Sequence, residues 1–141
     1  MNILYETRAR VVGGRTGNAT VEDGALALTL ATPRALGGDH DTGTNPEQLF
    51  ATSYAACFLS ALRFVANRRR LIVPDDSAVV VAVGIGMRED GLGFGLQVDL
   101  SVSLPGIEPS IAAKLVQEAD LVCPYSHLAR HGADIRIAVR D

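Results

Sequence analysis

Apolar positions along this chain follow two different periods, and the change of period marks out its elements. Residues 3–12 read as a strand, with Ile3, Tyr5 and Thr7 alternating with Leu4, Glu6 and Arg8. Gly13-Gly14-Arg15-Thr16-Gly17 is a glycine-rich turn. Asp23-Gly24 predicts a hairpin turn between residues 19–21 and 25–30, where Leu26, Leu28 and Leu30 share a face. Residues 33–43, with Pro33, Gly37, Gly38 and Gly43, read as a loop.

The period then changes. Asn45 can cap a helix, Pro46 suits its first position, and Gln48 completes a capping-box-like pair with Asn45. Leu49, Phe50, Tyr54, Cys57, Phe58, Leu62 and Val65 recur mostly at steps of three and four, as far as about Arg70. Ala51, Ala55, Ala56, Ser60 and Ala61 keep this helix thin, as a buried central helix needs. Arg68-Arg69-Arg70 falls where cations complement the helix dipole. Residues 75–86 carry the β-branched run Val79-Val80-Val81, and Glu89-Asp90-Gly91 reads as a turn. Leu96, Val98, Leu100, Val102 and Leu104 then alternate with Gln97, Asp99, Ser101 and Ser103 in the clearest half-exposed strand. Pro105-Gly106 breaks it. Residues 109–122 predict a second helix with Ile111, Leu115, Ala119 and Val122 inward. After Pro124 a loop is expected to lead to a last strand with Ile135, Ile137 and Val139 on one face. Hairpin-linked strands with interposed helices predict an α+β fold, with largely antiparallel sheets around two main helices. No repeat or linker divides the chain, so residues 1–141 are read as one domain.

Composition removes several function classes. A net charge of −3 gives no electrostatic case for nucleic acid. Apolar content of 48% with 21% charged residues fits a soluble globular protein. No stretch approaches the roughly 18 apolar residues a membrane span needs. The Met1-Asn2-Ile3-Leu4-Tyr5-Glu6 start lacks the pattern of a signal peptide, which predicts a cytoplasmic protein. Thiols are usually reduced there, so the two cysteines are expected to be idle or catalytic rather than structural. The Asn18-Ala19-Thr20 sequon means little without secretion.

Among candidate motifs, Gly84-Ile85-Gly86 and Gly91-Leu92-Gly93-Phe94-Gly95 lack the spacing and following helix of a dinucleotide fingerprint. There is no Cys-x-x-Cys for zinc or thioredoxin chemistry. Asp39, His40 and Asp41 could hold a metal, but a solvated loop is the stronger reading. His127 and His131 follow Cys123 closely, with no stronger claim to catalysis. Cys57 and Cys123 lie 66 positions apart, each at a helical pattern. A helix-buried cysteine is most often an inert small hydrophobe. To react it must be a thiolate, and a nearby guanidinium would favour that form. Arg15, on its glycine-rich turn, is the best-placed cation by composition, although a solvated turn residue reads equally well. Glu47 is equally ambiguous, because acids at helix starts are favoured by the dipole.

These residues fall into a recognisable set. Thr32-Pro33-Arg34, Leu36-Gly37-Gly38, residues 44–50 (Thr-Asn-Pro-Glu-Gln-Leu-Phe), Tyr54-Ala55-Ala56-Cys57-Phe58, Val102-Ser103-Leu104-Pro105-Gly106 and Val122-Cys123-Pro124-Tyr125-Ser126 together resemble the organic hydroperoxide resistance family. The Gly13-Gly14-Arg15 turn matches as well, and His127-Leu128 departs from the family's pattern. The resemblance covers essentially the whole chain. It implies thiol-dependent reduction of organic hydroperoxides to alcohols, with Cys57 attacking the peroxide and Cys123 resolving through a Cys57–Cys123 disulfide. Arg15 would hold the thiolate, making Cys57 the more acidic thiol, and Glu47 would orient Arg15. It further implies an intertwined homodimer with interfacial sites, recycled by a lipoyl dithiol on dihydrolipoamide or a lipoylated protein. No bound metal, flavin or haem is implied. Phe50 and Phe58 could wall a substrate pocket or be core. Competing readings are an osmotically induced relative with the same thiol chemistry, and a non-catalytic dimeric binding domain with inert cysteines.

Helix arithmetic adds one constraint. Glu47 and Cys57 are ten residues apart, about 15 Å along a helix axis and about 80° around it. One guanidinium cannot bond both groups at that spacing. With no glycine or proline between them to break the helix, the Glu47 that serves Cys57 is expected to come from the partner chain.

Overall fold

Three short strands open the chain: β1 (Ala9–Val12), β2 (Asn18–Val21) and β3 (Ala27–Thr29), paired antiparallel in the order β1-β2-β3. The computed structural model describes residues 1–39 and 42–139. It divides into two units, Met1–Phe50 and Ala51–Asp141, with the boundary inside a helix.

In the first unit Val12 pairs with Asn18, and the intervening residues turn tightly through a 3-10 piece, Gly14–Thr16. Gly13 has φ +83°, which favours glycine, and a Cβ on Gly17 would stand 1.7 Å from the Val12 carbonyl oxygen. The Asp23-Gly24 turn forms as expected, with the Gly24 N–H donating to Val21 O and the Ala25 N–H to Asp23 Oδ1. Only the end of the first predicted strand is paired. Met1, Ile3, Leu4 and Tyr5 stay exposed ahead of β1. His40 and Asp41 lie outside the described residues, and no group of three metal-ligating side chains occurs among the described ones.

Helix α1 (Pro46–Arg68) begins as its sequence predicts. The Gln48 N–H donates to Asn45 Oδ1 at 2.9 Å, and the Asn45 N–H donates back to Gln48 Oε1 at 3.2 Å. The helix runs unbroken for 23 residues. By length and composition alone it could cross a membrane, contrary to the expectation that no stretch comes near that limit. It buries Tyr54, Phe58, Ala61, Leu62, Val65 and Ala66 and leaves Phe64 exposed, so it is packed on one face rather than all round. Each large side chain so buried contributes about 1.5–3 kcal/mol.

The second unit continues with a ten-residue hairpin of β4 (Ala78–Met87) and β5 (Phe94–Ser103), in register from Ala78↔Ser103 to Met87↔Phe94. Val98, Leu100 and Val102 turn partly inward, whereas Leu96 is exposed. Helix α2 (Pro109–Val122) is capped by Glu108, whose carboxylate accepts from the Ser110 and Ile111 N–H groups. Leu115 and Ala119 are fully buried as expected; Ile111 and Val122 are exposed instead, because the buried stripe is narrower than the apolar one. Arg69, just past α1, pairs with Glu118 and Arg130 with Asp120, which ties those segments to α2 on either side of the buried Ala119.

Two expectations fail near the C-terminus. The segment after Pro124 is a helix, α3 (Pro124–His131), not a loop; Pro124 takes its first position and Gly132, at φ +75°, ends it. The last predicted strand forms no ladder, and Ile135, Ile137 and Val139 are each more than 70% exposed, at 73%, 93% and 96%. An alternating segment becomes a strand only when an edge pairs with it. Three helices and two antiparallel sheets among the described residues make the α+β class correct.

Candidate active site

Backbone bonds in the first unit carry Arg15 to Glu47. The Leu30 N–H donates to Gly17 O, closing the end of β3 against the glycine turn. The Thr44 N–H donates to Thr29 O and the Ala31 N–H to Thr44 O, which brings the start of α1 alongside. Arg15 Nη1 then donates to Glu47 Oε2 at 2.9 Å and Nη2 to Oε1 at 2.5 Å, a two-pronged ion pair. The hydrogen bonds from Arg15 hold the Glu47 carboxyl below its ordinary range, against the opposing effect of burial. Reciprocally, the bond to Glu47 raises Arg15 above its ordinary value.

The second unit assembles the thiols. Cys57 sits half-buried on α1, one turn beyond Tyr54. Cys123 is fully buried at the joint where α2 ends and α3 begins. Its N–H still donates to Ala119 O, while its own carbonyl accepts the His127 N–H. A single residue thus closes one helix and opens the next, which aims its side chain back at α1. Both cysteines are free thiols, and Cys123 Sγ donates to Cys57 Sγ at 3.6 Å. Sequence spacing alone could not join them.

Around this pair, Tyr54 Oη and Ser126 Oγ are hydrogen-bonded at 2.9 Å. The Tyr54 and Tyr125 rings lie tilted at 5.7 Å. Burial pushes the Cys57 thiol above its ordinary value; the Tyr125 N–H, in the first turn of α3, donates to its sulfur and opposes that, and the adjacent Cys123 thiol adds to the rise. The net direction is upward, with no cation among the causes.

The four residues singled out in the sequence therefore form two pairs, Arg15 with Glu47 and Cys57 with Cys123. Tyr54, Tyr125 and Ser126 were missed as site residues; they were visible only as neighbours in the two cysteine segments. A cleft of about 580 Å³ in the second unit is bordered by Tyr54, Phe58, Leu100, Val102 and Val116 among others, but by neither cysteine. Phe58 is 2% exposed and belongs to the core as well. The His127 and His131 rings lie tilted at 4.7 Å, and both residues are exposed.

A family model described as OsmC-like protein matches residues 38–138. The organic hydroperoxide resistance protein of Xanthomonas axonopodis pv. citri is 42% identical over 137 residues, covering 97% of this chain and 95% of its own. The chain belongs to the OsmC-like family, in its organic hydroperoxide resistance branch. Solved members of that branch share the fold. A crystal structure of an organic hydroperoxide resistance protein from Legionella pneumophila superposes with a TM-score of 0.86 at 43% identity, covering 93% of each chain. The Bacillus subtilis OhrB structure gives 0.81 at 37% identity, covering 92% of this chain and 93% of its own.

Proposed function

We propose that this chain is a cysteine-based peroxidase that reduces organic hydroperoxides to alcohols. The observation that carries the reading is the pair of reduced sulfurs at 3.6 Å, contributed by residues 66 positions apart. An inert core has no need to bring two thiols together, whereas a peroxidase does.

The Cys57 thiolate attacks the distal oxygen of R–O–O–H. The O–O bond breaks, R–O⁻ takes a proton and leaves as alcohol, and Cys57 becomes a sulfenic acid. Cys123 then attacks the sulfenic sulfur; a disulfide forms and water leaves. An external dithiol, of the lipoyl type, reduces the disulfide by exchange and is itself oxidised. No bound cofactor enters these steps.

Because burial alone raises the Cys57 thiol, the mechanism needs a cation. Arg15, held in a fixed fork by Glu47, is the proposed one. With α1 unbroken past Cys57, the spacing argument favours Arg15 and Glu47 of the partner subunit. The active form is accordingly a homodimer.

The test is a titration of reduced protein with cumene hydroperoxide. A Cys57–Cys123 disulfide, seen as a non-reducing gel shift and a loss of two hydrogens in the mass, is expected in the wild type and absent from Cys57→Ser and Cys123→Ser. Cys123→Ser should oxidise once and then pass to sulfinic acid at Cys57. Turnover with dihydrolipoamide should favour organic hydroperoxides over hydrogen peroxide. Oxidation of Cys123 with Cys57 untouched would reverse the roles, and no disulfide at all would refute the reading.

A further inference from the structure

Two hydroxyls flank the sulfur pair without a part in the chemistry above. Tyr54 lies three residues before Cys57 on α1, and Ser126 lies three residues after Cys123 on α3. The hydroxyl bond thus joins the same two segments as the sulfur contact, from residues about 4.5 Å along the chain axis from each cysteine where the backbone is helical. Tyr54 is 2% and Ser126 1% exposed, so the bond is sheltered from water. Between the two contacts lies Tyr125, whose N–H donates to Cys57 Sγ and whose ring rests against Tyr54. The start of α3 is thus fixed to α1 at Cys123, Tyr125 and Ser126 in turn.

That frame matters for one step. A Cys57 sulfenic acid has two fates. It can condense with the Cys123 thiol, giving the disulfide and water. It can instead meet a second hydroperoxide, giving the sulfinic acid and a second alcohol. Condensation is intramolecular and depends on how often Cys123 Sγ is aimed at Cys57; over-oxidation scales with hydroperoxide concentration. The sulfurs need to close from 3.6 Å to about 2 Å, so a fixed register leaves only a short approach. α3 is only eight residues long and is otherwise exposed along its outer side. Its own hydrogen bonds do little to hold its first turn in place.

We propose that Tyr54 and Ser126 are positioning residues for disulfide formation, their hydrogen bond holding the first turn of α3 so that Cys123 is presented to oxidised Cys57. This deepens the function proposed above and rests on it. The bond sets the partition between the disulfide and the sulfinic acid, and so the hydroperoxide concentration the protein survives.

The test measures that partition directly. Reduced wild type, Tyr54→Phe, Ser126→Ala and the double variant are exposed to graded cumene hydroperoxide, quenched with a thiol-blocking reagent, and read by mass spectrometry for Cys57 disulfide against sulfinic acid. Tyr54→Phe keeps the ring and removes only the hydroxyl. The hydroperoxide concentration that sends half of Cys57 to sulfinic acid is expected to fall about 3- to 10-fold, the range of one buried neutral hydrogen bond. Ser126→Ala should match it, and the double variant should go no further, because all three remove the same bond. An unchanged partition in Tyr54→Phe beside a lowered Tm would overturn the proposal and leave the pair as core packing. Additive effects in the double variant would also overturn it. A wild type that forms no Cys57–Cys123 disulfide would refute the underlying function as well.

Discussion

Replacing Glu47 by glutamine keeps the size of the side chain and removes its charge, which isolates what the carboxylate does for Arg15. The Glu47 side chain is 13% exposed and that of Arg15 36% exposed, so the pair is neither a surface contact nor a buried one. Two parallel hydrogen bonds with this partial screening place its contribution at about 1 kcal/mol. Unfolding entropy of about 2.1 cal/mol/K per residue over 141 residues is about 300 cal/mol/K. Glu47→Gln should therefore lower Tm by about 3 °C at neutral pH. The pH dependence has a definite sign. Arg15 depresses the Glu47 carboxyl in the folded state, so the folded protein binds fewer protons than the unfolded chain near the ordinary glutamate value of about 4.3. Its stabilisation is fully present above that value and is lost as pH falls through the depressed one. Calorimetry of both proteins from pH 8 to pH 3 should show a constant Tm gap down to about pH 5 that closes at the acid end. About 1 M salt should narrow the gap at neutral pH, because the Arg15 end is open to solvent. A gap that persists unchanged at the lowest pH, or none at neutral pH, would show that the carboxylate does not hold Arg15.

Two further outcomes concern the site. Arg15→Met should move the pH profile of Cys57 alkylation to more alkaline values, since burial then acts on the thiol without a cation; an unmoved profile would remove Arg15 from the mechanism. Mixing inactive Glu47→Ala with inactive Cys57→Ser, under conditions of subunit exchange, should restore hydroperoxide turnover through heterodimers with one intact composite site; no recovery despite demonstrated exchange would place Glu47 and Cys57 of one chain in the same site.

What the sequence revealed and concealed follows from where each signal is local. Asn45, Pro46 and Gln48 define the start of α1 because capping is settled within four residues, and the structure repeats that pattern bond for bond. The β5 strand was legible because its alternation spans ten residues against a partner supplied by the same hairpin. The last strand was misread for the opposite reason: Ile135, Ile137 and Val139 alternate correctly, yet no edge within the described residues pairs with them. Helix α3 was missed because Ser126 and His127 are indifferent helix formers and the segment spans barely two turns. Pro124 at its head and Gly132 at its end were the available signals. At the site, residue types were visible but partners were not. Nothing local says that Cys123 reaches Cys57, or that Tyr54 reaches Ser126 across 72 positions; both depend on how α2 hands the chain to α3.

The two sulfurs that meet at 3.6 Å lie 66 positions apart, and that loop length would give the proposed redox cycle a mechanical side. A covalent link across it removes conformational freedom from the unfolded chain, about 4 kcal/mol in the chain-entropy treatment before any strain is subtracted. Each round of oxidation would then staple α1 to the α2–α3 joint, and each round of reduction would release it. In the proposed cycle the stability of the chain would rise and fall with the supply of reductant. On that reading, a protein left oxidised when its dithiol donor ran short would be the form best protected against unfolding and proteolysis.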